Sequence, residues 1–257
     1  MIKIERENDL TRLSAAVTDF SESLGYCQYK IPLSMRGAKS ETSVALVKGA
    51  IAHRDEEMFE QEHVQLEPVT TEQVQDSSLD IEFAREDVFS ALHIPFEFPS
   101  QNVLVSLYGR IDKMMRVGST LIIQDDKFTT KPKSYDLLNN PYPGQLLQVL
   151  TYLNSSFSMK KFANPLEYFQ VAHEQKKWQI RICDSRTKKP YKIYSDYQNS
   201  DSQKYLHGSL RLFASIALGQ TEPSHHNSKA KCNACRDRKS TRLNSSHSQQ
   251  SRMPSSA

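Results

Sequence analysis

The stretch STLIIQDDKFTT, residues 119–130, places a run of mostly apolar side chains directly before two aspartates and a lysine. Its pattern predicts a strand that is antiparallel to VLVSLYGRIDKMM, residues 103–115, and joined to it through the turn RVGS. Because side chains alternate along a strand, Asp125 and Lys127 are expected on one face and Asp126 on the other. Carboxylate oxygens are ligands that Mg²⁺ prefers, so this strand end is a candidate metal site.

The preceding strand adds a third acid. Asp112 follows a break in the strand pattern at Gly109. A structural hairpin tolerates one acid at its mouth, whereas several acids and a lysine at one strand end are less common. The D-x-K pattern alone is weak, since it occurs by chance in most proteins. Solvated hairpin charges are therefore the alternative interpretation.

The rest of the chain predicts an α/β domain with one mixed sheet, flanking helices and a helical entry. Residues 65–90 are acidic and polar, with a weak helical pattern. The apolar side chains that predict an N-terminal helix ending at Gly25 are Leu10, Leu13, Val17, Phe20 and Leu24. Further helices are predicted at about 41–60, 143–157 and 202–219, and a second hairpin is predicted from 166–175 and 177–185.

Charge and composition exclude some classes of protein. Of the 33 basic and 30 acidic residues, four basic and one acidic lie in residues 237–257, so residues 1–236 carry 29 of each sign. Any surface for nucleic acid must therefore be a local patch. No apolar run approaches the roughly 18 residues of a membrane span. The charged start MIKIERENDL is unlike a signal peptide, and four cysteines without one predict a reducing, cytoplasmic location.

The C-terminal residues 237–257 have no apolar periodicity. DRKSTRLNSSH and the final SRMPSSA resemble one reading frame of a widely used sequencing-adapter strand. Arg236 is then expected to be the last native residue, or nearly so. An ordinary serine-rich, disordered terminus is the alternative.

Several polar residues follow one another along the chain in a distinctive order. Their order is Gly49 and His53 four apart on a predicted helix, Asp112, Asp125 and Lys127, and finally Gln148 and Tyr152 four apart on another helix. This set resembles the RecB-like branch of the PD-(D/E)XK nucleases, over nearly all of residues 20–236. Taken singly, His53 fits a helix-surface histidine and Tyr152 fits core packing.

The resemblance implies a role for each matching residue. Those that match the family's metal ligands are His53, Asp112, Asp125 and the main-chain carbonyl of Asp126, which would hold Mg²⁺ or Mn²⁺. Lys127 matches the catalytic lysine, and Asp112 and Asp125 belong to the same catalytic set. Gln148 and Tyr152 match the motif that positions DNA.

Three cysteines extend the resemblance to the CRISPR-associated iron–sulfur exonucleases of this branch. Cys27, Cys232 and Cys235 match three of the four ligands of a 4Fe–4S cluster that ties the chain ends together. The fourth cysteine is expected near position 241, where this chain has Thr241. Cys183 fits a small buried residue better. A zinc site formed by Cys232 and Cys235 with His225 or His226 remains the alternative.

The resemblance as a whole implies a restriction-endonuclease-like core with an iron–sulfur lid of N- and C-terminal helices. Its expected parts are an N-terminal helical segment (1–40), a nuclease core (41–220), a truncated cysteine segment (221–236) and the adapter-like tail (237–257). The implied activity is metal-dependent exonuclease cleavage of single-stranded DNA ends in spacer acquisition, beside the CRISPR integrase and without a membrane. The alternatives are a RecB-like repair nuclease outside CRISPR and a non-catalytic DNA-binding module of the same fold.

Overall fold

A computed structural model describes residues 2–37, 51, 81–83, 88–99, 101–117, 119–159 and 175–224 of the chain. These residues form two five-stranded mixed sheets and four helices. The strands are β1 (Lys3–Glu7), β2 (Leu10–Ala16), β3 (Ile81–Phe83), β4 (Val88–Phe98), β5 (Gln101–Ile111), β6 (Lys113–Val117), β7 (Thr120–Thr129), β8 (Ser156–Met159), β9 (Gln175–Asp184) and β10 (Pro190–Tyr197). The helices are α1 (Val17–Gly25), α2 (Lys30–Met35), α3 (Pro143–Leu153) and α4 (Ser200–Ala217), with a 3₁₀ turn at Pro132–Tyr135.

Each sheet contains one parallel pair of strands inside an otherwise antiparallel order. The first sheet runs β1-β2-β5-β4-β8, with β2 parallel to β5. The second runs β10-β9-β7-β6-β3, with β7 parallel to β9. Strand β7 is therefore the central strand of the second sheet. Its pairing with β6 ends at Gln124, whereas residues 125–127 still pair with β9.

The chain passes from the first sheet to the second at Asp112. Strand β5 ends at Ile111 in the first sheet, and β6 begins at Lys113 in the second. Asp112 is the single residue between them. This passage brings the Asp112 carboxylate to the edge of β7, the strand that carries Asp125 and Asp126.

Helix α3 lies against the second sheet and the neighbouring helices. It contacts α1, β7 and β9, and one of its faces is buried through Leu147, Leu150 and Leu153. Helices α1 and α3 meet at two glycines, because a Cβ on Gly25 would lie 2.2 Å from the backbone nitrogen of Gly144. Only glycine permits this approach, and it brings the face of α3 that carries Gln148 close to β7.

The structure corrects three expectations and confirms others. Residues 10–16 form strand β2 rather than the start of a helix, and the helix begins at Val17. There are two sheets, not one, and the described parts of residues 65–90 are strands. The antiparallel pairing with β7 is confirmed for residues 113–117, whereas residues 103–111 of the predicted strand lie in the first sheet. The helices near 143 and 202 are confirmed. The predicted helix at 41–60 and the strand at 166–175 lie almost wholly outside the described residues, and no described helix is long and apolar enough to cross a membrane.

Candidate active site

Asp125 is the centre of a buried polar network on the α3 side of β7. Its side chain is fully buried, and Lys127 Nζ lies 2.8 Å from its Oδ2. Gln148 Nε2 donates to Asp125 Oδ1 at 3.0 Å, and Gln148 Oε1 accepts from Lys127 Nζ at 3.0 Å. The amide of Gln148 therefore contacts both members of the ion pair and fixes their relative position.

Asp112 joins this network through the backbone of β7. The ladder between β6 and β7 ends with Lys113 opposite Gln124. Beyond that pair, the backbone N–H of Asp126 donates to Asp112 Oδ2 at 3.0 Å instead of to a strand. The Asp112 carboxylate thus replaces the missing ladder partner, which orients it toward the end of β7 that carries Asp125.

The side chain of Asp126 lies on the opposite face, as alternation predicts. Arg181, its register partner on β9, donates from Nε to Oδ1 at 2.7 Å and from Nη2 to Oδ2 at 2.5 Å. Gln124 Nε2 donates to Oδ1 at 3.0 Å. Asp126 is nearly buried, so this bidentate pair anchors the stretch of β7 whose amide holds Asp112.

Tyr152 is a core residue whose hydroxyl reaches the network. Its side chain is 2% exposed, and Gln148 Nε2 lies 3.4 Å from its hydroxyl oxygen. A Cβ on Gly109 would lie 2.6 Å from Tyr152 Cε1, so the tyrosine ring packs directly on the bare backbone of β5. A ring buried in this way has no face open for stacking on a DNA base.

Burial dominates the electrostatics of the site. It raises the pKa of Asp125 to about 7, with Asp112 adding to the rise and Lys127 opposing it. Burial likewise raises the pKa of Asp112. Burial lowers the pKa of Lys127, but the carboxylates of Asp125 and Asp112 together raise it above its usual value. Two carboxylates and one ammonium leave an excess negative charge, which a proton or a cation would neutralise.

Seven of the ten predicted site residues lie in the described part of the chain, and six of them belong to this region of β7 and α3. The structure brings together Asp112, Asp125, Lys127, Gln148 and Tyr152, and it places the side chain of Asp126 on the other face of β7. His53, Cys232 and Cys235 lie outside the described residues. Cys27 is buried at the loop between α1 and α2, well separated in the chain from this network, and Cys183 is a buried residue of β9.

Arg181 and Gln124 were not expected from the sequence. Gln124 and Asp126 are two apart on β7, so alternation places them on one face, but nothing local indicates that this face is buried. Arg181 lies 55 residues from Asp126 along the chain. Their contact depends on the parallel pairing of β7 with β9, which strand patterns do not reveal.

Comparison with known proteins found distant structural similarity. No family model and no curated protein matches the chain. One similar solved structure is an alkaline exonuclease, LHK-Exo, from Laribacter hongkongensis, at 10% identity over 80% of this chain and 89% of that one, with a TM-score of 0.41. The complex of LHK-Exo with dAMP is 11% identical over 89% of this chain and 94% of that one, with a TM-score of 0.42. The structure of SSO0001 is 13% identical over 91% of this chain and 86% of that one, with a TM-score of 0.41. The activity of this chain does not follow from similarity at that level.

The chemistry of the donor set fits a divalent cation. Asp125 Oδ2 is buried and faces the ammonium of Lys127 at 2.8 Å. Asp112 offers a second carboxylate beside it. Within the described ranges no three His, Cys, Asp or Glu side chains form a metal site by themselves. The two aspartates therefore need a further ligand, for which His53 is the sequence-based candidate.

Proposed function

We propose that the chain is a metal-dependent nuclease that hydrolyses phosphodiester bonds in DNA. The observation that carries the proposal is the buried Asp125 carboxylate, held by Gln148 and Lys127 beside the second buried carboxylate of Asp112. Two buried carboxylates that share one ammonium leave an excess negative charge, which a divalent cation would neutralise. Buried acids with strongly raised pKa values are typical of functional sites.

The proposed roles combine the family resemblance with the positions of those residues that the structure describes. Mg²⁺ or Mn²⁺ would be held by Asp112 and Asp125, with His53 and the main-chain carbonyl of Asp126. The ion would activate a water molecule and offset the negative charge of the phosphate. Lys127 would orient that water and offset charge on the phosphate. Gln148 fixes the relative position of Lys127 and Asp125 by hydrogen bonding to both, and the Tyr152 hydroxyl in turn contacts Gln148. DNA positioning by Gln148 and Tyr152 is thus proposed to act through the network, since the tyrosine ring is buried.

The finer assignment is an exonuclease acting on single-stranded ends. This, together with a cytoplasmic role in spacer acquisition and a CRISPR integrase partner, is proposed from the resemblance of the sequence to the CRISPR-associated iron–sulfur exonucleases. A repair nuclease of the same branch would carry the same chemistry. Cleavage of linear but not circular single strands would support the exonuclease, whereas cutting of both would indicate an endonuclease.

A 4Fe–4S cluster is proposed on the cysteines. Its support in the structure is a contact between the two ends of the described chain: the backbone N–H of Ser224 donates to Gln28 Oε1 at 2.7 Å. Ser224 therefore lies beside the loop that carries Cys27, eight positions before Cys232. Thiolates are the usual ligands of such clusters, and four are normally needed. A zinc site remains the other candidate for the pair.

The test of the nuclease is cleavage of end-labelled DNA with Mn²⁺, with Mg²⁺ and with EDTA. We expect Asp125→Ala and Lys127→Ala to abolish cleavage while circular dichroism shows a folded protein. Lys204→Ala, which removes an exposed lysine on α4, is the matched control and should retain full activity. DNA binding with no metal-dependent cleavage by the unmodified chain would instead support the non-catalytic binding module.

A further inference from the structure

A second group of aromatic and amide side chains adjoins the network on the same face of α3. Gln145 lies one turn before Gln148, and residues three apart share a helix face. Its Nε2 donates to the hydroxyl oxygen of Tyr135 at 3.0 Å. The Tyr135 side chain is buried, and its hydroxyl and the Lys127 ammonium are close enough to affect one another's pKa. Tyr135 is therefore within electrostatic range of Lys127, the lysine proposed to be catalytic.

Tyr142 extends this group to the surface. Its ring is 44% exposed and lies edge-to-face against Tyr135, with ring centroids 5.2 Å apart. The residue immediately precedes α3, and its backbone N–H donates to Gln145 Oε1 at 3.2 Å. The buried ring of Tyr135 thus leads from Lys127 to an exposed aromatic ring.

The segment that carries Tyr135 is held in place by the edge strand β10. Lys192 Nζ donates to the carbonyl oxygens of Tyr135 and Leu138, each at 2.7 Å, and lies 3.3 Å from that of Asp136. The hydroxyl of Tyr194 donates to the Leu138 carbonyl at 3.0 Å. An irregular segment fixed by four such contacts presents Tyr135 and Tyr142 in one arrangement before any ligand binds.

We propose that Tyr142 and Tyr135 form a nucleotide subsite next to the scissile phosphate. The exposed ring of Tyr142 stacks on an unpaired base, and the Tyr135 hydroxyl donates to a phosphate or sugar oxygen. Among the described residues this hydroxyl has no acceptor for its own proton, since its oxygen accepts from Gln145. Because aromatic rings stack on any base, the subsite distinguishes single-stranded from double-stranded DNA and does not depend on the base sequence. This inference rests on the proposed nuclease function.

The stacking is tested without cleavage, by fluorescence of 2-aminopurine placed at successive positions of short single strands in EDTA. The unmodified chain and Tyr142→Phe should quench the probe at one position. Tyr142→Ala should lose that quenching and bind about tenfold more weakly, as expected for the loss of one stacked base. Tyr108→Ala is the control, because Tyr108 is similarly exposed and lies edge-to-face against His93, away from α3.

A second arm requires no variant. An abasic nucleotide at the quenched position should weaken binding by the unmodified chain about tenfold, and an abasic nucleotide elsewhere should not. Tyr135→Phe should leave the quenching unchanged and lower kcat with little change in KM. Equal binding and cleavage by Tyr142→Ala and the unmodified chain would overturn the subsite. Absence of any Mn²⁺-dependent cleavage by the unmodified chain would instead remove the proposed function.

Discussion

At the scale of single residues, the site is a charge imbalance held inside the protein. Asp112 and Asp125 share one ammonium, that of Lys127, and Asp125 is fully buried. A cation bound there replaces a proton that the site otherwise takes up. Metal affinity and pH must therefore be linked, because a carboxyl has to lose its proton before it can bind the ion.

The raised pKa of Asp125 makes a prediction about stability. Without metal, the folded-state pKa is about 7 and the ordinary value is 3.8, so the protonated carboxyl contributes stability that is present below pH 3.8 and lost as pH rises through about 7. In EDTA at pH 8, Asp125→Asn should raise Tm by about 2–4 °C, which corresponds to about 1 kcal/mol. The difference should shrink toward pH 4, as followed by differential scanning calorimetry.

The control for this measurement is Asp196→Asn, which changes an exposed aspartate of β10. Added Mn²⁺ should raise Tm of the unmodified chain and leave that of Asp125→Asn unchanged. A variant that is less stable than the unmodified chain at pH 8 would show that Asp125 is a stabilising ion-pair partner and not a strained one.

Arg181 makes a second prediction at this scale. Arg181→Ala leaves the nearly buried Asp126 carboxylate with Gln124 as its remaining side-chain donor, and should cost on the order of 3 kcal/mol in free energy of unfolding. Asp126→Ala with Arg181→Ala together should cost less than the sum of the single changes, because neither charge is then left alone. Urea unfolding measures this, with Lys177→Ala on the same strand as control. Equal stability of Arg181→Ala and Lys177→Ala would contradict the anchoring role.

At the scale of elements, two glycines set how closely the helices and strands approach. Gly25 allows α1 to touch α3 at Gly144, and Gly109 allows Tyr152 of α3 to lie on β5. Both contacts let α3 pack more closely than a residue with a Cβ would allow. A Cβ at either glycine would displace α3 or its neighbour, and Gln148 lies on α3.

Gly109→Ala tests this dependence. The new Cβ would lie 2.6 Å from Tyr152 Cε1 and 3.0 Å from Val17 Cγ2, so the buried ring must move. We expect a loss of about 1–3 kcal/mol, as in overpacked cores, and a fall in kcat. Gly208→Ala on α4 is the matched control: its Cβ would meet nothing within 4 Å, and the helix should gain about 0.5–1 kcal/mol. Full activity of Gly109→Ala would show that Tyr152 does not position Gln148.

At the scale of the whole molecule, local patterns predict the site better than they predict the sheets. Alternation places Asp125 and Lys127 on one face of β7, and helical spacing places Gln148 and Tyr152 on one face of α3, whereas the expectation that these faces form one site came from the family resemblance. Strand β2 was mistaken for helix because it buries Thr11, Leu13 and Ala15. Only one of these three is strongly apolar, so the period of two is hidden, whereas Leu10 and Leu13 fit a helix. The division into two sheets depends on pairing between distant segments, which no local pattern records.

The contact between Gln28 and Ser224 bears on the proposed cluster. With only Cys27, Cys232 and Cys235 available, the chain purified without oxygen should hold less than one cluster per molecule. Thr241→Cys should restore a brown protein with stoichiometric iron and sulfide and a visible absorbance band. Cys27→Ser in that background should lose the cluster, and Cys183→Ser should not. A full cluster in the unmodified chain would assign the fourth ligand to another residue, and tight zinc in both forms would replace the cluster.

The parallel pairing of β7 with β9 has a consequence for how the protein is made. Arg181 follows Asp126 by 55 residues, and at about 5–20 residues per second it emerges roughly 3–11 s later during synthesis. The pairing of β2 with β5 is delayed longer still, since Leu10 pairs with Asn102, which is synthesised much later. Such distant pairings fold slowly because loop closure must precede any gain from contact. A nascent chain therefore carries Asp125 and Asp126 well before Arg181 can anchor this part of β7. Any nucleolytic activity is delayed until β9 has paired with β7 in the second sheet.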